Sequence, residues 1–291
     1  MFFGSIPALV TPFSGGRVAE DTFAEFVEWQ IGEGSNALVP CGTTGEVATL
    51  NDGEHRQAIA LTVQVAKGRV PVIAGCGTYD TAASLERIRT AADVGADAAL
   101  CVVPYYNKPS QAGLAAHFLH LAEHSPLPIV VYNVPSRTVA DISVETLAEV
   151  SKHPRIVAVK DATGNLARVS AQRLACSEGF CQLSGNDDMA LGFNAMGGVG
   201  CISVSANVAP RLCSEFQKAM HEGRWDDALK LQDMLYPLHA ALFTDASPAP
   251  TKYALTRVRP GFPAELRLPL VEAADASRRA VDAALEHAGL A

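Results

Sequence analysis

The sequence lacks the features that mark membrane, secreted and nucleic-acid-binding proteins. No stretch reaches the roughly 18 uncharged apolar residues that a membrane-spanning helix needs. Residues 1–5 carry no basic cluster followed by a long apolar core, so a secretory signal peptide is not expected. The 23 Lys and Arg residues are outnumbered by 31 Asp and Glu, a formal charge of −8, without any basic run. We therefore expect a cytoplasmic protein with no nucleic-acid and no membrane partner.

Cysteine gives no sign of disulfides or of structural zinc. The count of seven is odd, and no two cysteines form a Cys-x-x-Cys pair. Five of them lie inside apolar runs, where a thiol behaves as a small hydrophobic side chain: Cys41, Cys76, Cys101, Cys181 and Cys201. A reducing compartment fits this pattern.

Three histidines are the only cluster with a metal-like appearance. His117, His120 and His124 fall on one face of a predicted helix. No carboxylate or cysteine stands at the usual ligand spacing, so a packed or solvated helix face explains them better. We expect neither a metal nor a cofactor.

Short apolar runs alternate with longer amphipathic stretches at a period of about 30 residues, which is typical of repeated βα units. The apolar runs predict eight strands, at residues 5–10, 37–41, 70–75, 98–103, 129–133, 156–160, 182–184 and 200–204. The amphipathic stretches predict eight helices, at residues 21–33, 52–67, 81–94, 111–123, 144–152, 166–177, 188–196 and 210–221.

Strict alternation of eight strands and eight helices predicts an α/β fold, a (β/α)8 TIM barrel. An open doubly wound sheet is the alternative. The first strand-to-helix junction, residues 12–16, does not carry the Gly-x-Gly-x-x-Gly pattern of such sheets. Two more helices, at 225–243 and 271–288, follow around a proline-rich connection. We therefore expect a barrel domain over residues 1–224 and a C-terminal helical subdomain over 225–291.

The apolar run 156–159 ends on a charged residue, Lys160. Buried runs of this kind belong to parallel sheets that are covered on both faces, where an ammonium group is costly. Burial favours the neutral amine, which is the nucleophilic form, so Lys160 is a candidate for forming a Schiff base. The simpler interpretation is a lysine that ends a strand and reaches solvent or Asp161.

Other reactive residue types follow the ends of other predicted strands, where the active sites of barrels form. Thr43 and Thr44 lie in a tight turn suited to a small carboxylate, or in an ordinary Ser/Thr-rich turn. Tyr106 and Tyr132 supply phenols, although tyrosines are usually packing residues. Arg137 suits a carboxylate, although loop arginines are commonly solvated. Together with Lys160 these residues describe an imine-forming lyase or aldolase that acts on a 2-oxo acid.

Six segments extend this interpretation to a family. They are GSIPALVTPF, GTTGE, PYYNKPSQ, YNVPSRT, VAVKDATGNL and GCISVSANV, in this order from Gly4. In these motifs the chain resembles the dihydrodipicolinate synthase family, within the N-acetylneuraminate lyase superfamily of class I aldolases. The resemblance implies a lyase that condenses pyruvate with L-aspartate 4-semialdehyde in lysine and diaminopimelate biosynthesis.

The resemblance also implies roles for individual residues. Lys160 would form the imine with pyruvate, and Tyr132, Thr44 and Tyr106 would relay protons, with Tyr106 reaching in from a neighbouring subunit. Thr43 and Thr44 would bind the carboxylate of pyruvate, and Arg137 that of the semialdehyde. Gly185 and Ile202 would line the pocket with their backbone groups. The family pattern further implies a homotetramer built from two tight dimers.

Three alternatives remain open at this point. One is a sialic acid or 2-keto-3-deoxy sugar acid lyase of the same superfamily, although the arginine in YNVPSRT favours the synthase. Another is a non-catalytic barrel that binds a 2-oxo acid. The third is a second substrate other than the semialdehyde, because Asn186 and Ser247 stand where the family pattern often has Asp and Asn.

The resemblance bears on feedback inhibition by lysine as well. Lysine-sensitive members carry Ser, His, Asn and Glu at the positions of Val47, Asp52, Tyr79 and Ala83, while His55 and Tyr105 agree with that pattern. We therefore expect L-lysine to inhibit this protein only weakly.

Overall fold

A curled parallel sheet is the centre of the computed structural model, which describes residues 2–291. Seven strands form this sheet, and two short strands form a separate antiparallel hairpin. In chain order the strands are β1 (Gly4–Pro7), β2 (Phe13–Ser14), β3 (Arg17–Val18), β4 (Ile73–Gly75), β5 (Ala98–Val102), β6 (Ile129–Asn133), β7 (Ile156–Asp161), β8 (Cys181–Ser184) and β9 (Gly200–Ser203).

The sheet closes into a barrel through the segment 37–40. Strands run in the order β1-β9-β8-β7-β6-β5-β4, which leaves β1 and β4 at the two edges. Backbone hydrogen bonds from Leu9 N to Val39 O (2.9 Å) and from Ile73 N to Leu38 O (2.8 Å) bridge the gap. The predicted (β/α)8 barrel is thus confirmed, with 37–40 as the eighth strand position although its pairing is limited to isolated bridges.

Helices surround the barrel in the predicted alternation. They are α1 (Glu20–Gly32), α2 (Asp52–Ala66), α3 (Thr81–Asp93), α4 (Gln111–His124), α5 (Pro135–Thr138), α6 (Val144–Val150), α7 (Ala167–Ala175), α8 (Ala190–Ala195), α9 (Pro210–His221), α10 (Trp225–Ala241), α11 (Ala249–Val258) and α12 (Asp275–His287). Polar side chains fix several of their first turns, as when Asn51 accepts from Glu54 N and the Glu54 carboxylate accepts from Asn51 N.

The short helix α5, helix α11 and the hairpin β2–β3 were not predicted. Helix α11 lies within the stretch that the sequence indicated to be a proline-rich connection. A helix can form there because Pro250 sits in its first turn, where a missing N–H breaks no helical hydrogen bond. The hairpin β2–β3 turns through Gly15 and Gly16, whose positive φ angles of 57° and 77° suit glycine.

Two hydrophobic clusters hold the fold together. The larger one lies between the strands and the surrounding helices, and includes Phe23, Phe26 and Phe118. The smaller one fills the barrel interior, with Ile6, Val39, Ile73, Val130 and Leu183 among its members. The burial of both faces explains why the strands read as continuous apolar runs.

The remaining sequence features take ordinary structural places. All seven cysteines are free thiols, and all but Cys176 are buried. His117 is buried, with Nδ1 2.9 Å from Thr81 Oγ1, and burial lowers the pKa of its imidazole to about 4. His120 and His124 stack on each other at 4.4 Å between ring centroids. Across residues 2–291, no helix combines the length and apolar character that crossing a bilayer demands.

Candidate active site

Parallel pairing of β6 with β7 sets Tyr132 beside Lys160. The two residues are register partners, at the carboxyl ends of adjacent strands. Side chains alternate between the faces of a strand, so Tyr132 and Lys160 point into the barrel while Asn133 and Asp161 point away from it. The Lys160 amine lies 4.2 Å from the centroid of the Tyr132 ring. The strand pattern in the sequence therefore places an amine and a phenol together at the barrel mouth.

Lys160 is not neutralised by its neighbour in the chain. The Asp161 carboxylate accepts instead from Thr163 Oγ1 (2.6 Å), Arg168 Nε (3.3 Å) and Gln172 Nε2 (2.7 Å) on the outer face of the barrel. Within residues 2–291, no carboxylate oxygen lies within 4.0 Å of the Lys160 amine, which is only 5% exposed. The simpler interpretation of Lys160, as a strand end paired with Asp161 or open to solvent, is therefore wrong.

A cavity of about 340 Å³ opens above this amine. Its size is in the usual range for small-molecule sites, which runs from about 300 to 1,000 Å³. Residues from six separate parts of the chain line it: Thr43, Thr44, Tyr132, Val134, Ser136, Arg137, Lys160, Ala162, Gly185, Asn186, Val204, Phe243 and Ser247. The sequence-predicted residues Thr43, Thr44, Tyr132, Arg137, Lys160 and Gly185 are thus brought together.

The loop 41–46 brings Thr43 and Thr44 to the cavity. Thr44 is buried and Thr43 is exposed at the cavity mouth. The loop begins and ends on residues with left-handed backbone, Cys41 (φ 57°) and Glu46 (φ 56°). Non-glycine residues adopt this conformation rarely, and it persists where the surroundings hold it in place.

Arg137 stands at the opposite wall of the cavity, on the short helix α5. The turn is held by Thr138 Oγ1, which donates to the backbone oxygens of Val134 (3.0 Å) and Ala140 (2.7 Å). The Arg137 side chain is exposed, and none of residues 2–291 forms an ion pair with it. Its guanidinium is therefore available to an anionic ligand.

Gly185 lies directly against the lysine. A Cβ atom built on Gly185 would stand 3.2 Å from Lys160 Cε and 2.7 Å from Ala162 Cβ. This close approach explains a glycine here, since any side chain would press on the lysine. Ile202, in contrast, is fully buried in the barrel interior with Ile6 and Ile73, and Val204 is the residue after β9 that lines the cavity.

Tyr106, like Ile202, is a predicted site residue that does not line the cavity. It is 91% exposed and has a left-handed backbone, with φ 68°. Its neighbour Tyr105 packs edge-on against Tyr79, at 5.4 Å between centroids. A phenol held outward in this way reaches no group of its own chain's cavity.

Sequence reasoning missed the contribution of the C-terminal helices to the site. Phe243, just after α10, and Ser247, just before α11, both line the cavity. The sequence connects Ser247 and Asn186 with the second substrate, and both line the cavity, whereas Phe243 gives no signal because it lies beyond the last predicted strand. Val134, Ser136 and Ala162 each stand within three residues of a predicted site residue, and that proximity was the signal available.

Comparison with known proteins agrees with this geometry. The family described as "Dihydrodipicolinate synthetase family" matches residues 1–288. Proteins named 4-hydroxy-tetrahydrodipicolinate synthase from Rhizorhabdus wittichii and Zymomonas mobilis are each 64% identical, over the full length of both chains. The dihydrodipicolinate synthase of Acinetobacter baumannii, whose solved structure is described as a complex with pyruvate, is 40% identical with a TM-score of 0.97, and the match covers all of both chains.

Proposed function

Because the chain belongs to the dihydrodipicolinate synthetase family, we propose that it is a lyase catalysing the 4-hydroxy-tetrahydrodipicolinate synthase reaction. The substrates are then pyruvate and L-aspartate 4-semialdehyde, and the product enters lysine and diaminopimelate biosynthesis. The observation that carries this proposal is the buried Lys160 amine, which faces the cavity beside Tyr132 and has no carboxylate partner among residues 2–291.

The chemistry begins at the amine. Lys160 attacks the C2 carbonyl of pyruvate, and loss of water from the resulting carbinolamine gives the imine. Loss of a proton from the methyl carbon then gives an enamine, which forms a carbon–carbon bond to the aldehyde of the second substrate. Tyr132, whose ring centroid lies 4.2 Å from the amine, takes and returns protons through its phenol, and Thr44 borders the same cavity. The amino group of the semialdehyde then attacks the imine carbon, which closes the ring and expels Lys160 as the free amine.

The carboxylates of the two substrates bind at different walls of the cavity. Thr43 and Thr44 bind the carboxylate of pyruvate, and Arg137 binds that of the semialdehyde. A free guanidinium suits the carboxylate of a short amino acid aldehyde better than the polyol chain of a sialic acid, which favours the synthase over the sugar acid lyases. Gly185 and Ile202 contribute backbone groups, Gly185 at the cavity wall and Ile202 from the strand below it.

The proton relay needs a second subunit. We propose that Tyr106, which faces away from its own cavity, completes the site of a neighbouring chain in a homotetramer of two tight dimers. The strained, exposed backbone at Tyr106 is what a contact with another chain would require. A cytoplasmic location fits the seven free thiols.

Reduction with borohydride in the presence of pyruvate tests this function. Lys160 alone should be labelled, because it is the buried amine that faces the cavity. Lys252 is the matched control, since it is equally buried but ion-paired with Glu46. Lys160→Ala should keep the fold and lose nearly all turnover. Label on another lysine, or none, would overturn the proposal, and absence of label would favour a 2-oxo-acid-binding barrel without chemistry.

A further inference from the structure

A fully buried ion pair lies behind the loop that carries Thr43 and Thr44. The Lys252 amine is 2.5 Å from the Glu46 carboxylate, and neither side chain has any exposed surface. The two residues come from opposite ends of the chain, since Glu46 closes the 41–46 loop and Lys252 lies on α11. The desolvation of both charges can offset their mutual attraction, so a buried pair of this kind is weak evidence of a stabilising role.

The pair belongs to a larger set of contacts, all directed at the same loop. Lys252 also donates to Glu265 O at 2.7 Å, and Arg267 N donates to the second Glu46 oxygen at 3.1 Å. The Arg267 guanidinium in turn holds both oxygens of Glu54 and donates to Thr49 O at 2.9 Å. Both ends of the 46–54 stretch are therefore fixed by residues 252–267.

The backbone of the loop explains why it needs such an anchor. Glu46 has a left-handed φ of 56°, and it is only two residues from Thr44. Gly45 O accepts from Thr11 Oγ1 at 2.8 Å, and Glu46 N donates to Thr43 O at 3.1 Å. A left-handed residue in a loop persists only where contacts over-determine it, and the Glu46 side chain supplies the contact that points away from the cavity.

Helix α11 connects this anchor with the cavity itself. Ser247 lines the cavity two residues before α11 begins, and Lys252 follows in its first turns. The Lys252 amine also lies 4.3 Å from the centroid of the Phe13 ring, in the first loop of the barrel. The segment from Ser247 to Lys252 thus reaches from the cavity wall to the buried ion pair behind the 41–46 loop.

We infer that Glu46 and Lys252 are positioning residues, which set the height and orientation of Thr43 and Thr44 above Lys160 and thereby the affinity for pyruvate. This inference rests on the proposed function, because it assigns the carboxylate of pyruvate to those two threonines. The C-terminal helices are then part of the pyruvate site.

The test compares Lys252→Met, Glu46→Gln and the double variant in the full-length protein. Half-saturation by pyruvate is measured twice, in turnover at saturating semialdehyde and in borohydride trapping of the imine without semialdehyde. Both values should rise about 10- to 100-fold in the single variants, since small displacements of positioning groups cost up to about that much. The dependence of turnover on semialdehyde at saturating pyruvate should stay within about twofold of the wild type, because Arg137 is untouched.

Tyr253→Phe is the matched control. Tyr253 is the next residue of α11 and donates to Asp282 at 2.8 Å on the opposite side, so its loss loosens the helix without touching the loop. It should leave half-saturation by pyruvate unchanged.

The double variant keeps the test decisive if a lone buried charge prevents folding, because it removes both charges together. It should fold and still require more pyruvate, and amide hydrogen exchange at residues 42–46 should be faster than in the control. Unchanged half-saturation by pyruvate in folded variants would overturn the inference and leave the pair a structural one. Failure of wild-type Lys160 to trap pyruvate would instead overturn the proposed function.

Discussion

Two adjacent charged residues, Lys160 and Asp161, end β7 on opposite faces of the barrel. Asp161 is held by Thr163, Arg168 and Gln172 on the side of the helices. Lys160 faces the cavity, with its amine 4.2 Å from the centroid of the Tyr132 ring. The alternation of a strand thus separates an ion-pairing carboxylate from a nucleophilic amine that is one residue away. A shift of one residue in register would exchange the two and abolish the site.

The proposed function makes Arg137 the residue whose loss should separate the use of the two substrates. We expect Arg137→Ala to impair use of the semialdehyde by roughly 30- to 150-fold, because a lost charge-assisted contact to a carboxylate costs about 2 to 3 kcal/mol. Trapping of the pyruvate imine should change little. Steady-state kinetics on both substrates, read beside borohydride trapping, measure the difference.

Arg155→Ala is the control for the loss of an exposed arginine. Arg155 precedes β7 at the opposite end of the barrel, so this variant should behave like the wild type. Equal damage to both substrates by Arg137→Ala would assign Arg137 to pyruvate or to the scaffold.

At the scale of elements, the sequence predicts the strands well because burial on both faces is a local property of the chain. The predicted strand 129–133 agrees with β6 at both ends, and 156–160 is extended by one residue in β7. The position 37–41 is less regular, since it contains Pro40 and since Pro71 stands in the neighbouring segment that pairs with it. A proline has no N–H to donate, so the ladder at this strand is reduced to bridges.

Contacts between distant parts of the chain are what the sequence does not reveal. The threonines, the tyrosine and the lysine were predictable because barrel sites form at strand ends. The positions of Phe243 at the cavity and of Lys252 behind it could not be predicted, because the sequence of a helix does not indicate which loop the helix will contact. Glu46 appeared only as one letter of a motif, and its partner stands about 200 residues further along the chain.

At the scale of the whole molecule, the proposed proton relay is not complete within one chain. Its cavity has an amine, a phenol and two hydroxyls, while Tyr106 faces outward. The proposed assembly turns this outward phenol into part of a neighbour's site.

Mixed dimers test the assembly directly. Chains carrying Tyr106→Phe and chains carrying Lys160→Ala are each expected to be impaired, but a hybrid dimer has one site with both Lys160 and Tyr106. An equal mixture that reassociates at random should regain about a quarter of wild-type activity, because half of the dimers are hybrids and half of their sites are complete.

The control for this experiment mixes wild-type chains with chains that carry both substitutions. If Tyr106 acts in the neighbouring site, hybrids of this kind contain no complete site. If each subunit instead uses its own Tyr106, the second mixture has active hybrids and the first does not. Activity measured on isolated hybrid dimers decides between these outcomes.

The family's effector site for lysine, as the sequence resemblance implies it, would lie at surfaces that the proposed assembly brings together. The residues at the positions of the family's effector site form a packed aromatic surface here. Tyr79 is about half exposed and stands edge-on to Tyr105, and Asn107 Nδ2 donates to Tyr79 O at 2.9 Å. His55 is buried, with Nε2 2.7 Å from Gly75 O, so its ring is already engaged.

We expect L-lysine to inhibit poorly, with half-inhibition above about 1 mM, the concentration that corresponds to a binding free energy of −4.1 kcal/mol. Ala83 supplies no carboxylate for the effector's ammonium group, and an ion left unpaired at a buried site costs several kcal/mol. Tyr79 adds bulk where the sensitive pattern has an amide. A coupled assay with lysine titrated to millimolar levels measures the effect. Lysine should inhibit the variant Tyr79→Asn/Ala83→Glu at lower concentrations than it inhibits the wild type. Half-inhibition of the wild type well below 1 mM would mean that Asp52 provides a substitute carboxylate from the other side of the site.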